Sequence, residues 1–186
     1  MPSGRTHDRI TWWTFPLTLG GTWWLSGRWD VTSAVGASYL FSGLMFGPDL
    51  DIHSVQVRRW GLLRWIWWPY RRFVPHRSRL SHGVLVGTFL RLVYLTVVFC
   101  GLAGLVVYAV QQYGDVPVFK EIVEPSRRFA EATYPTLAKQ TAHGDWKFVV
   151  WILLGLELGA ISHIIADTLV SAVKRQRKRL KVFRRR

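Results

Sequence analysis

Two long apolar runs set the frame of the chain. Leu92 to Val110 is nineteen residues without a formal charge, and Phe148 to Val173 is twenty-six residues whose only formal charges are Glu157 and Asp167. At about 1.5 Å per helical residue, each reaches across a hydrocarbon core of about 30 Å. They predict membrane spans over 84–110 and 148–173. Two earlier stretches, Ile10 to Ser26 and Val31 to Gly47, are shorter and are interrupted by Gly, Ser, Thr or Pro16. They predict a helical hairpin over 10–26 and 31–47, whose two ends return to the same side whether or not each helix crosses fully. The expected fold is all-α, a multi-pass membrane helical bundle of about four spans. Residues 1–173 form a single membrane-embedded domain in this reading, with an external segment at 111–147 and a basic tail at 174–186. The chain opens without a compact apolar core and a small-residue cleavage site, so no secretory signal is expected.

The stretches between the apolar runs differ in character. Trp60-Gly61-Leu62-Leu63-Arg64-Trp65-Ile66-Trp67-Trp68-Pro69-Tyr70 is too short to span and is flanked by arginines. It predicts an interfacial helix in the headgroup layer, acting either as a plain anchor or as a platform that holds a lipid substrate. The external segment carries Pro117, Pro125 and Pro135, which predict short broken helices, and His143, which reads as a surface histidine. Cys100 sits inside the third apolar run and reads as a packing residue.

Composition agrees with a membrane protein, since 49% hydrophobic residues and eleven Trp in 186 residues exceed the usual content of a soluble domain. A net charge of +14 by itself suggests nucleic acid, but its placement argues otherwise. With the N-terminus cytoplasmic, nineteen Lys and Arg fall on the cytoplasmic side and six fall outside, namely Arg28, Lys120, Arg127, Arg128, Lys139 and Lys147. That asymmetry orients both termini toward the cytoplasm. The tail from Lys174 to Arg186 then reads as an anchor touching anionic lipid headgroups, with nucleic-acid binding a poor second.

This orientation, drawn from Lys and Arg alone, brings the chemistry together. His7 and Asp8 precede the first run, and Asp49, Asp51 and His53 follow the second, in Gly47-Pro48-Asp49-Leu50-Asp51-Ile52-His53. His76 and His82 precede the third, and His163 and Asp167 approach the cytoplasmic end of the fourth. All nine converge on one face. Carboxylates and imidazoles are costly beside so much Trp, Leu and Val unless a cation compensates them.

Each element also has a plainer reading. His163 and Asp167, four residues apart, share a helix face that suits either one metal or an interhelical hydrogen bond. Asp49 and Asp51 point to the same side of an extended stretch, or else close a helix as solvated acids. His76 and His82 belong to a loop whose Arg77, Ser78, Arg79 and Ser81 suit phosphate binding, while the arginines also fit the charge bias alone.

Mixed imidazole and carboxylate donors favour a divalent transition metal, Zn first, with Mn or Fe next, over Ca or Mg. Nine donors exceed one tetrahedral ion, so two ions bridged by Asp49 or Asp51 are the natural reading, with the remaining residues in support.

Together these residues resemble the bacterial metal-binding membrane proteins marked by an N-terminal His-Asp, a Pro-Asp-x-Asp-x-His and a His-Arg-Ser-x-x-Ser-His. The resemblance covers most of the chain, from Ser3-Gly4-Arg5-Thr6-His7-Asp8 to the final span. That group is similar in turn to the YdjM-like membrane-bound metal-dependent hydrolases, with Pro-Asp-x-Asp-His, His-Arg-Gly-x-Thr-His-Ser and a later His-x-x-x-Asp. More distantly it is similar to zinc-dependent phospholipases C and fungal zinc nucleases. The resemblance implies metal roles for Asp49, Asp51, His76, His82, His163 and Asp167, followed by His7 and His53. Here His53 stands two residues after Asp51 rather than beside it, and His76 to His82 is one residue longer than in the YdjM-like pattern.

The function expected is a membrane-bound metal-dependent hydrolase acting on a phosphoester, either a phospholipid or a lipid-linked phosphate, through a metal-activated water. Asp49 and Asp51 stand at the reaction centre, and Arg77 or Arg79 neutralises the substrate. The alternative is a non-catalytic metal-binding structural or assembly protein, in which the same ligands lock helices together. A transporter, prompted by Glu157 and Arg91 within spans, ranks below both.

Overall fold

The computed structural model describes residues 4–113 and 146–183, together with positions 117, 121, 124, 125, 128 and 132. Pro135 and His143 of the external segment lie outside the described residues. The described chain is helical throughout, with no strand among the described residues. Among the described residues the α-helices with both ends defined run in order: α1 (Gly4–Ser26), α2 (Trp29–Leu44), α3 (Val55–Arg59), α4 (Trp67–Phe73), α5 (Arg79–His82), α6 (Val86–Tyr113) and α7 (Trp146–Phe183). Two 3-10 helices, Pro48–Asp51 and Gly61–Ile66, sit between α2 and α4. The chain divides into a first compact unit, Met1–Leu92 with Val149–Arg186, and a second, Val93–Phe148. All the chemistry described below belongs to the first.

Among the described residues two helices, rather than four, are long and apolar enough to cross a membrane: α6, and α7 over Trp146–Arg177. α1 falls short because His7, Asp8, Arg9 and a row of threonines make it too polar. The hydroxyls of Thr11, Thr14, Thr18 and Thr22 each turn back onto the carbonyl four residues earlier, at 2.7 to 3.2 Å. α2 has sixteen residues, a length of about 24 Å, and buries Gly36, Ser38, Ser42 and Gly43 where a span would carry larger apolar groups. The basic tail is no separate piece, since α7 continues through it to Phe183. Cys100 is exposed on α6 rather than packed.

α1 and α2 do form the expected hairpin. Gly27 makes the turn with φ +61°, a left-handed conformation that a side chain disfavours. The pairs Trp23 with Trp29, Thr14 with Tyr39 and Thr11 with Gly43 show an antiparallel register. α7 lies along α2 in the parallel sense, at very close range. A Cβ on Gly155 would stand 2.6 Å from the Val35 carbonyl oxygen, and one on Gly159 would stand 2.5 Å from the Tyr39 carbonyl oxygen and 2.9 Å from the Gly43 nitrogen. Small residues four apart let two backbones approach in this way. The same i, i+4 stripe of α7 continues to His163 and Asp167, so the contact that aligns the two helices also aims the ligands.

Beyond α2 the chain packs a small aromatic core. Trp67 is fully buried and meets Phe46, Trp60 and Tyr70 edge to face, with ring centres 5.9, 5.2 and 5.5 Å apart. The Trp-rich stretch is therefore two short helices. Its Trp67 and Tyr70 face inward, whereas Leu62, Leu63, Trp65 and Trp68 are exposed.

Candidate metal centre

The start of α1, the 3-10 helix that follows α2, the loop leading into α5 with α5 itself, and the middle of α7 meet at one end of the hairpin. His7 comes from the first turns of α1, which the antiparallel register brings level with the residues that follow α2. Asp49 and Asp51 stand on the 3-10 helix that Pro48 begins, where its fixed φ and missing N–H are tolerated. At three residues per turn, side chains two apart point in different directions. The expectation of an extended stretch with both carboxylates to one side is thus corrected. Asp51 turns to His76, with its Oδ1 2.9 Å from Nδ1, while Asp49 turns to His163, with its Oδ2 3.3 Å from Nε2.

His76 and His82 flank a tight turn in which Arg77 has φ +59°, and α5 follows with Ser78 as its N-cap, its hydroxyl accepting from the Ser81 N–H. Ser81 is buried; its hydroxyl donates to the Pro75 carbonyl and lies 2.9 Å from His82 Nδ1. Both serines are thus engaged in shaping the loop, whereas the sequence suggested phosphate binding. Two ionisable residues of the long helices brace it further. Arg91, fully buried, donates to the Ser81 carbonyl and to Thr88 Oγ1, each at 3.0 Å. Glu157 accepts the N–H of Leu85 at 2.8 Å and so holds that residue at φ +65°. Both residues thus brace the backbone around His82.

Seven of the nine expected donors gather here. His7 and His163 stack with ring centres 3.9 Å apart, and His7 Nε2 lies 3.3 Å from Asp167 Oδ1. His82 Nε2 lies 3.9 Å from Asp49 Oδ1 and 4.0 Å from Asp167 Oδ2. Two groups have their donor atoms within 4.8 Å of one another: His7, Asp49 and His163, and Asp49, His76 and His82. Asp49 belongs to both. A cavity of about 190 Å³ opens beside the first group, lined by His7, Asp49, His163 and Asp167 among others.

The other two donors have partners of their own. Asp8 lies at the cavity edge, but both its oxygens are held by Arg59, at 2.9 and 2.5 Å. His53 is exposed, and its Nδ1 lies 3.0 Å from Arg71 Nη1. Because arginine only donates, that nitrogen is the acceptor. Arg77 reaches Asp167 Oδ2 at 3.1 Å, and Arg79 is exposed on α5. Sequence reasoning missed Arg59 and also Gln56, which is buried, donates to the Gly43 carbonyl at 3.0 Å and lies 3.4 Å from His163 Nδ1. Gln56 sits two residues after the N-cap Ser54 of α3 and had no signal beyond being polar.

The donor set fits a metal on two counts. First, buried atoms are left without hydrogen bonds: His7 Nδ1, His76 Nε2, His82 Nε2, His163 Nε2 and Asp51 Oδ2. Such orphans are rare in proteins, and a cation satisfies them together. His76 is the clearest case, because its Nδ1–H donates to Asp51 and its Nε2 lone pair is thereby left for a metal, the carboxylate–histidine arrangement common around zinc. Second, the protonation states match. Burial, with a contribution from His163, pushes His7 below the ordinary histidine value of 6.5, and burial does the same to His82. Burial opposes ionisation of Asp49, but the imidazoles of His163, His7 and His82 outweigh it and hold the carboxyl below its ordinary value. Neutral imidazoles and an ionised carboxylate are the ligating forms.

A 67-residue stretch is 36% identical to an uncharacterized protein of Aquifex aeolicus (strain VF5), covering 36% of this chain and 47% of that relative. The chain thus spans about half the length of that relative. No solved structure matches the chain. The family pattern matches residues 2–177, which contain every donor above, and the chain belongs to the family of uncharacterized metal-binding proteins, DUF2227.

Proposed function

We propose that this protein is a membrane-bound metal-dependent hydrolase of phosphoesters, acting on a phospholipid or a lipid-linked phosphate. The observation that carries the proposal is the position of Asp49, common to two donor groups, which is what a pair of ions sharing one carboxylate requires. His7 and His163 serve one ion and His76 and His82 the other, with Zn favoured by the imidazole content and Mn or Fe next. When bound, such ions acidify water and draw charge from a phosphoryl oxygen.

The residues of the chain supply the rest. Asp51 fixes the ring of His76 by taking its Nδ1–H. Asp167 holds His7 on one oxygen and Arg77 on the other. Arg77, nearly half exposed, is placed to leave Asp167 for an incoming phosphate and neutralise it. Arg79, exposed on the short helix α5 that follows, adds a second positive charge to this loop. The cavity beside His7 and Asp49 leaves room for substrate, which a closed structural site lacks. The apolar α6 and α7 support a membrane location for this machinery, and the Lys and Arg bias favours the cytoplasmic face with both termini.

The test is metal content by elemental mass spectrometry, followed by a phosphoester screen. About two equivalents are expected in the wild type and fewer than one in Asp49→Ala, with about one left in His7→Ala and in His76→Ala. No stoichiometric metal after loading with Zn or Mn overturns the reading. Unfolding on chelation, without turnover of any phosphoester by the loaded protein, assigns the metal a structural role instead.

A further inference from the structure

A second cavity adjoins the metal cavity and is no part of it. It measures about 330 Å³ and shares His53, Ser54 and Arg58 with the lining of the first, adding Arg64, Trp65 and Arg71. No carboxylate is among its lining residues. The nearby acid Asp8 is already held by Arg59 through both oxygens. Arg71 donates to His53 Nδ1, so a neutral His53 carries its proton on Nε2 and adds a donor to the three guanidinium groups. The Arg64 guanidinium lies over the Trp65 ring at 5.4 Å, a cation–π contact. Three guanidinium groups, His53 and the Ser54 hydroxyl are the polar side-chain groups that line this space, and arginine forks match the oxygens of a phosphate.

The wall of the cavity indicates where that phosphate comes from. Arg64 and Trp65 stand on the 3-10 helix Gly61–Ile66, whose Leu62 and Leu63 are 91% and 55% exposed, and Trp68 on the next helix is 60% exposed. Exposed Leu and Trp interleaved with arginine suit the layer where acyl chains meet headgroups. We propose that the Arg58–Arg64–Arg71 cavity is a binding site for the phosphate monoester headgroup of an anionic lipid, built beside the metal centre. The site needs neither the metal nor turnover, so it goes beyond the hydrolase reading and stands or falls apart from it. It differs from a general positive-inside bias in requiring forked donors, where the bias requires charge alone.

The experiment titrates the detergent-purified protein, with the metal it retains, against short-chain phosphatidic acid, short-chain phosphatidylcholine and inorganic phosphate by calorimetry. Phosphatidic acid is expected to bind at least about tenfold tighter than either comparison ligand. Arg58→Gln with Arg71→Gln is expected to abolish that margin while metal content, measured on the same samples, stays at the wild-type level. Arg58→Lys with Arg71→Lys is expected to lose most of it, although charge is conserved. Arg64→Gln changes an exposed side chain and carries the test if the double variants fail to fold. Equal affinity for the two lipids, or unchanged affinity in the glutamine variants, overturns the proposal. Inorganic phosphate binding as tightly as phosphatidic acid also overturns it, since the lipid would then be no part of recognition.

Discussion

The close approach of α2 and α7 gives a prediction with a magnitude. In Gly159→Ala the new Cβ would stand 2.5 Å from the Tyr39 carbonyl oxygen, 2.7 Å from Ser42 Cβ and 2.9 Å from the Gly43 nitrogen. None of these atoms is the end of a flexible side chain, so relief requires the helices to part, on the order of 1 Å to regain ordinary contact. Overpacking of this kind costs about 1–3 kcal/mol. Alanine returns about 1 kcal/mol of helix propensity, leaving a net loss of up to about 2 kcal/mol, or up to about 8 °C in Tm for a chain of this size. The displacement also falls on the metal centre, because His163 follows Gly159 by one turn and Asp49 follows the end of α2. Their 3.3 Å approach opens with the helices. The assay is thermal unfolding by circular dichroism in detergent, alongside metal retention against a competing chelator. Gly101→Ala is the control, since a Cβ there meets nothing within 4 Å. A Gly159→Ala protein that melts at or above the wild-type temperature and keeps its metal would refute the packing argument.

Other outcomes follow from the same geometry. Asp51→Ala removes the partner of His76 Nδ1 and is expected to weaken metal retention about 10–100-fold, read by chelator competition. Asp8→Ala is expected to leave metal content unchanged and to cost at most about 1 kcal/mol in denaturant unfolding, because its carboxylate serves Arg59 at a partly exposed position. His7 and His82 have pKa values depressed by burial, so protons compete with metal only below the ordinary 6.5. Metal retained in a dialysis series down to that pH and released below it is expected, whereas half-release above pH 6.5 would contradict the burial argument. The sign for metal-free protein is the same, since the unfolded chain takes up these protons first and stability falls as pH drops from 6.5 through the folded values. A reporter fused after Arg186 is expected to be active only in the cytoplasm, and activity on the far side of the membrane would reverse the orientation read from Lys and Arg.

The donors were legible because each stood out against its surroundings. His163 and Asp167 interrupt an apolar helix at i, i+4, and Asp49 follows a proline at the end of an apolar run. Their division of labour was not legible. Asp8 and Asp49 look alike in sequence, and only the fold brings Arg59 to Asp8 and His163 to Asp49. The number of spans was over-read because tryptophan raised the apparent apolar content of 10–26, and because 31–47, though apolar, belongs to a helix of only sixteen residues. The threonine row of α1 and the small residues of α2 were in fact a record of helix-to-helix contact. Gly155 and Gly159, four apart and in register with His163, carried that signal in plain sight.

The shared carboxylate of Asp49 also separates the two donor groups in time. One group closes within a single stretch of chain, from Asp49 to His82, and is complete before the long apolar helices have been made. The other joins His7 near the start to His163 near the end, and cannot close until α7 has docked along α2. Synthesis from the N-terminus therefore presents a three-donor half-site first and the full set of donors only once α7 has docked.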